Sequence, residues 1–157
     1  MTGVFSAATH APDVTVRHDG LTVGWLGYAT VRIEAPDGTV AYLDPGRYGV
    51  LDGEYPKDGD VVCVTHDHHY ASDGIERVAA QDATVVVYEG VDPAGIDRDV
   101  VPVAEIDRET VRIGETDHRA VDGVDVWSVP TYNEPDGPHV EAESSRVVRL
   151  SVGVGYR

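Results

Sequence analysis

Residues 65–69 read Thr65-His66-Asp67-His68-His69, three histidines and an aspartate packed into four consecutive positions. Neutral imidazoles ligate divalent ions such as zinc. An H-x-H pair in extended backbone sends both rings to the same side, because strand side chains alternate with period two. His66 and His68 are therefore candidate metal ligands. His69 adjoins His68 and needs a bend in the chain to join them. Asp73 is a further candidate, but it also suits the N-cap of a helix, with Glu76 at capping-box spacing. His139, in the Gly137-Pro138-His139 loop, can fold over the site, although a lone loop histidine is commonly just exposed. The competing reading of the whole run is a solvated polar loop. His10, His18 and His118 have no motif around them.

The elements that must position these side chains are mostly strands. Residues 60–65 form a continuous apolar run of strand length, which predicts a central strand buried on both faces. The histidines follow its C-terminal end, where α/β folds build sites. A helix is predicted over 73–81, with Ile75, Val78 and Ala79 on one face, and a buried-type strand over 83–88. Upstream, 21–27, 30–34 and 39–43 read as a meander, with a Pro36-Asp37-Gly38 turn, and Asp44-Pro45-Gly46 stops it. Downstream, short strands are expected at 100–103, 110–113 and 124–129, a polar loop at 131–142 and a last strand at 147–156. The chain is read as one domain, 1–157, with 1–19 a loose N-terminal segment.

The formal net charge of -16 over 157 residues argues against nucleic acid and against anionic membrane surfaces. The acids are spread along the chain and Lys57 is the sole lysine. That pattern suits a halophilic acidic protein, solvated at salt concentrations where the Debye length falls to about 3 Å. No apolar run is long enough to span a bilayer and no leader is evident, so a cytoplasmic location is expected. Cys63, the sole cysteine, lies in an apolar run and reads as a buried, inert thiol.

Three ordered pieces resemble the metallo-β-lactamase superfamily, in particular the branch of metal-dependent hydrolases similar to L-ascorbate-6-phosphate lactonase. Residues 21–30, LTVGWLGYAT, resemble the family's W-L-G-H-A-S/T hairpin. Tyr42-Leu43-Asp44-Pro45 resembles its I/L-D-P strand end, and residues 60–74 resemble the T-H-x-H-x-D-H metal segment. Weaker likenesses fall at Tyr132-Asn133 and at Gly153-Val154-Gly155-Tyr156. The resemblance implies an α/β architecture, an αββα sandwich, here incomplete, with the first sheet and part of the second. It implies hydrolysis of an ester, lactone or phosphoester, assisted by zinc or manganese. The departures are specific. Tyr70 and Ala71 stand where the motif has the aspartate and histidine that hold the second metal, and Tyr28 replaces the hairpin histidine. Val148 falls where a further histidine is expected, and the bridging aspartate and last histidine have no counterpart before Arg157. One ion is therefore expected in preference to two, with weak affinity and low activity. The partner is a small-molecule substrate or ligand. A homodimer is expected because a short second sheet leaves an edge to be covered. The alternative is a catalytically inactive binding or structural domain.

Overall fold

The computed structural model describes residues 14–46, 56–131 and 145–152. Among these residues ten strands form two sheets. Strands β1 (Val14–His18), β2 (Leu21–Trp25), β3 (Val31–Glu34) and β4 (Val40–Leu43) make an antiparallel meander. Strands β5 (Gly59–Val64), β6 (Ala79–Tyr88) and β7 (Glu109–Ile113) continue it in parallel, so the seven strands run in chain order across one sheet. Strands β8 (His118–Val121), β9 (Val124–Thr131) and β10 (Ser145–Val152) form a second, antiparallel sheet in the order β10-β9-β8.

The expected two-faced burial of the central strand follows from alternation. Val61 and Cys63 of β5, Ala41 of β4 and Val86 of β6 pack against Val121, Val124 and Val126 of the second sheet. Val62 and Val64, with Val40, Tyr42, Val85 and Val87, face the other way, onto Ile75 and Val78 of helix α1 (Ser72–Val78) and onto Val91 and Val103. The molecule is thus layered helix, sheet, sheet. This is the α/β arrangement that the resemblance implies, with no second helical layer among the described residues. None of the described helices is long and apolar enough to cross a membrane.

Several expectations are corrected. The helix ends at Val78 rather than at 81, because Ala79 and Ala80 already belong to β6. Its N-cap is Ala71, not Asp73, and no side chain caps it. Asp73 lies inside the first turn, where its Oδ1 accepts from the Gly74 N–H at 3.0 Å, and Glu76 instead pairs with Lys57 at 3.0 Å. No strand forms at 100–103: a 3₁₀ turn, Val103–Glu105, takes its place. There Pro102 lacks a ladder donor, and the Val101 N–H and carbonyl are committed to Ser72 Oγ and the Tyr70 hydroxyl. Within the stretch 1–19 read as loose, Val14–His18 form the edge strand β1, exposed along its whole length. Strand β8 was not anticipated. The loop over 132–144, with Tyr132, Asn133 and His139, and the segment 153–157 lie outside the described residues.

Candidate metal centre

The end of β4 and the end of β5 meet at Asp44. Its backbone sits in the left-handed region at φ 45°, a conformation aspartate tolerates better than most residues. That turn aims a carboxylate, only 7% exposed, at the start of the histidine segment. Asp44 Oδ1 accepts from the Thr65 N–H at 2.8 Å, and Oδ2 accepts from the Thr65 hydroxyl at 2.7 Å. His69 Nδ1 lies 3.0 Å from the same Oδ2. An ionised carboxylate only accepts, so His69 Nδ1 carries the proton in this pairing. The Thr65 hydroxyl gives its own proton to Asp44, so its oxygen accepts from His66 Nδ1 at 2.8 Å. Both rings are thereby assigned, from their partners, the tautomer that keeps Nε2 unprotonated, the form in which imidazole ligates a metal.

Period-two alternation ends at His66, because Asp67–His69 form a single 3₁₀ turn. The turn supplies the bend that His69 needs. One donor atom from each of Asp44, His66 and His69 lies within 4.8 Å of the others, the one such group of three or more among the described residues. The His66 and His69 ring centroids are 4.2 Å apart. The exposed His68 ring is 5.7 Å from His66 and nearly perpendicular to it. Two imidazoles sharing one zinc, at Zn–N near 2.1 Å, hold their centroids roughly 4.5–5.5 Å apart. The two observed spacings bracket that range, with His66 common to both. Two imidazoles gathered with one carboxylate, and a third imidazole beside His66, suit a single borderline divalent ion. Because Asp44 already accepts three hydrogen bonds, its chemistry is that of an orienting acceptor more than of a ligand.

The two positions that the family motif gives to the second metal are core here. Tyr70 is fully buried among Val64, Ile75 and Val87, its hydroxyl donating to the Val101 carbonyl at 2.6 Å, and burial pushes its pKa up. Ala71 is buried as well. Asp67 is exposed and accepts from the Asp92 N–H at 2.9 Å, and Asp73 is on the helix and outside the cluster. Cys63 is fully buried, and burial together with the Asp44 charge drives its thiol pKa upward, which makes it unreactive. Tyr28 stands over the site from the hairpin, its ring edge-on to His69 at 5.6 Å.

Asp44 and Thr65 were visible in the sequence only as parts of motifs, and their joint hold on the two rings was not. The signal available was a D-P strand end and a T-H strand end on strands that pair in parallel.

A two-sheet α/β scaffold with imidazoles gathered where parallel strands end defines the class of protein. The β-lactamase superfamily domain model matches residues 22–151, and the chain belongs to that family. Among solved structures, it resembles the diiron β-hydroxylase CmlA from Streptomyces venezuelae, with a TM-score of 0.59 and 16% identity over 84% of this chain. A variant of the same β-hydroxylase gives a TM-score of 0.58 and 15% identity over 88% of this chain. The chain spans 27% and 29% of those two chains. At such identities the likeness is one of fold. No curated protein matches this chain.

Proposed function

We propose that this domain is a metal-dependent hydrolase of the metallo-β-lactamase type, of the branch similar to L-ascorbate-6-phosphate lactonase. It acts on an ester, lactone or phosphoester through one ion held by His66, with His68 and His69 on either side. The observation that carries the reading is the pair of imidazoles whose Nδ1 atoms are held by Thr65 and Asp44 at the end of β5, which leaves each Nε2 as the ligating atom. Zinc or manganese is the expected ion, and the iron of the β-hydroxylase fold neighbour makes iron a third. A bound divalent ion supplies Lewis acidity and activates water. The protein's own part is to present two imidazoles in one tautomer and to hold the proton on His69 Nδ1 against Asp44. Single occupancy is supported by Tyr70 and Ala71, which spend the second ion's positions on packing.

The same two residues favour a second reading, a catalytically inactive domain that keeps the pocket for a small ligand. The test is elemental analysis of protein purified in high salt, followed by turnover of lactones and phosphodiesters with added zinc or manganese. Turnover lost in His66→Ala supports the enzyme; a metal-loaded protein without turnover supports the binding domain. Turnover equal in wild type and His66→Ala would falsify the hydrolase reading at this site. The net charge of -16 favours a small molecule over nucleic acid or an anionic membrane as partner, and the exposed edge strand β1 favours a homodimer as the expected assembly.

A further inference from the structure

The backbone of the turn that carries His68 and His69 is bridged from outside by Arg98. Arg98 Nη2 donates to the Tyr70 carbonyl at 2.6 Å and to the Asp67 carbonyl at 3.3 Å, while Nη1 donates to the His68 carbonyl at 3.3 Å. This single 3₁₀ turn has two internal backbone hydrogen bonds, from the His69 and Tyr70 amides, to keep it in shape. The planar guanidinium suits several acceptors at once, because its five donors form a rigid fork. The segment bearing Arg98 is itself fixed. Val91 is in the core, Ile96 and Val100 pack against it, and the Asp92 N–H reaches back to Asp67 Oδ1 at 2.9 Å. The Val101 N–H meets Ser72 Oγ at 3.1 Å on the far side of the turn.

We propose that Arg98 is the positioning residue of the histidine turn: it holds His68 and His69 in ligand-ready places before any ion arrives. It ties down the backbone of the segment where, with Tyr70 and Ala71 turned into the core, no second set of metal bonds does so. The affinity half of this inference rests on the metal reading above; the half concerning the shape of the turn does not.

The test compares wild type, Arg98→Met and Arg98→Lys as full chains in high salt, by amide hydrogen exchange without metal and by zinc titration calorimetry. The reporters are the His69 and Tyr70 amides, bonded to the His66 and Asp67 carbonyls at 3.1 Å each, with the amides of Val62 to Val64 in β5 as the control. In Arg98→Met the two turn amides should exchange roughly tenfold faster with β5 unchanged, and zinc affinity should fall by roughly ten- to a hundredfold, as for loss of an outer-shell partner. Lysine, with one point charge for three carbonyls, should recover only part of both. Should Arg98→Met not fold, Arg98→Lys carries the comparison with wild type. Unchanged turn exchange, or equal zinc affinity in the folded variants, overturns the inference and leaves the metal reading intact. No zinc binding by wild type overturns the metal reading, and the ligand-positioning role with it, whatever the exchange rates.

Discussion

Replacing Asp44 separates the structural work of this carboxylate from its work on the histidines. In Asp44→Ala three hydrogen bonds go at once, to the Thr65 N–H, the Thr65 hydroxyl and His69 Nδ1. Thr65 is itself 7% exposed, so its N–H is left buried without an acceptor. That costs about 1–3 kcal/mol, and bonds to a charged group contribute about 1.5–3 kcal/mol each when intact. Alanine is also less at ease than aspartate at φ 45°. Removing one of many negative charges offsets a little of this. The expected loss is about 3 kcal/mol, a large fraction of a typical domain's 5–15 kcal/mol. In Asp44→Asn the amide oxygen can still accept from the Thr65 N–H, so the loss should be about 1 kcal/mol. The amide NH2 then faces His69 Nδ1 and turns it into the acceptor. That moves the proton to Nε2 and removes a ligand lone pair, so zinc affinity should fall about tenfold or more despite the mild destabilisation. Urea unfolding gives the stabilities from the midpoint shift and the slope, and calorimetry gives the affinities. An Asp44→Ala midpoint within about 0.5 kcal/mol of wild type would refute the reasoning, since a surface residue behaves that way.

Gly74 of α1 lies against the backbone after Asp44: a Cβ there would come 2.2 Å from the Pro45 carbonyl oxygen. Gly74→Ala should therefore destabilise by about 2 kcal/mol or more, despite alanine's better helix propensity, and should disturb the His69 ring signals by NMR. Tyr42 is fully buried with its hydroxyl on Asp58 Oδ1 at 2.8 Å, and burial followed by that bond raises its pKa above the ordinary 10.0. Tyr70 is raised by burial alone, with the Arg112 charge opposing it. Unfolded tyrosines ionise from about pH 10, while these two stay protonated in the native state. Stability should thus be full below pH 10 and fall above it, by about 1.4 kcal/mol per pH unit per group, until the native groups ionise. Tyr42→Phe should unfold less steeply with alkali, as measured by circular dichroism at pH 9 to 12. The aspartates Asp37, Asp60, Asp82 and Asp122 line one concavity, and the chain carries a net charge of -16. Raising KCl from 0.1 to 1 M shortens the Debye length from about 10 to about 3 Å, so the melting temperature should rise with salt; a fall would remove the halophilic reading.

The parts of this fold legible in the sequence are those set by short-range pattern. The apolar run at 61–64 has burial on both faces written into it, and β5 is buried on both. The turn residues around Pro36 and Gly38 place the meander correctly. The end of α1 was not legible, because Ala79 and Ala80 fit a helix face as well as a strand and only their place beside β5 decides. Val100 to Val103 look like a strand by composition, yet their backbone is spent on Tyr70 and Ser72. At the site, the histidines were legible as a density of ligating types. Which rings converge was not, because a 3₁₀ turn replaces extended backbone after His66. Asp44 and Arg98 reach the turn from 25 and 28 to 31 residues away in the chain, across contacts that no local spacing encodes.

In the proposed metal centre His66 is the ligand common to any ion this domain holds. Calorimetric titration of zinc into the purified chain and into His66→Ala, both in high salt, addresses it directly. One saturable site per chain in the wild type, lost in the variant while its fold is retained by circular dichroism, is the predicted result. The same heat and stoichiometry in both proteins would contradict it.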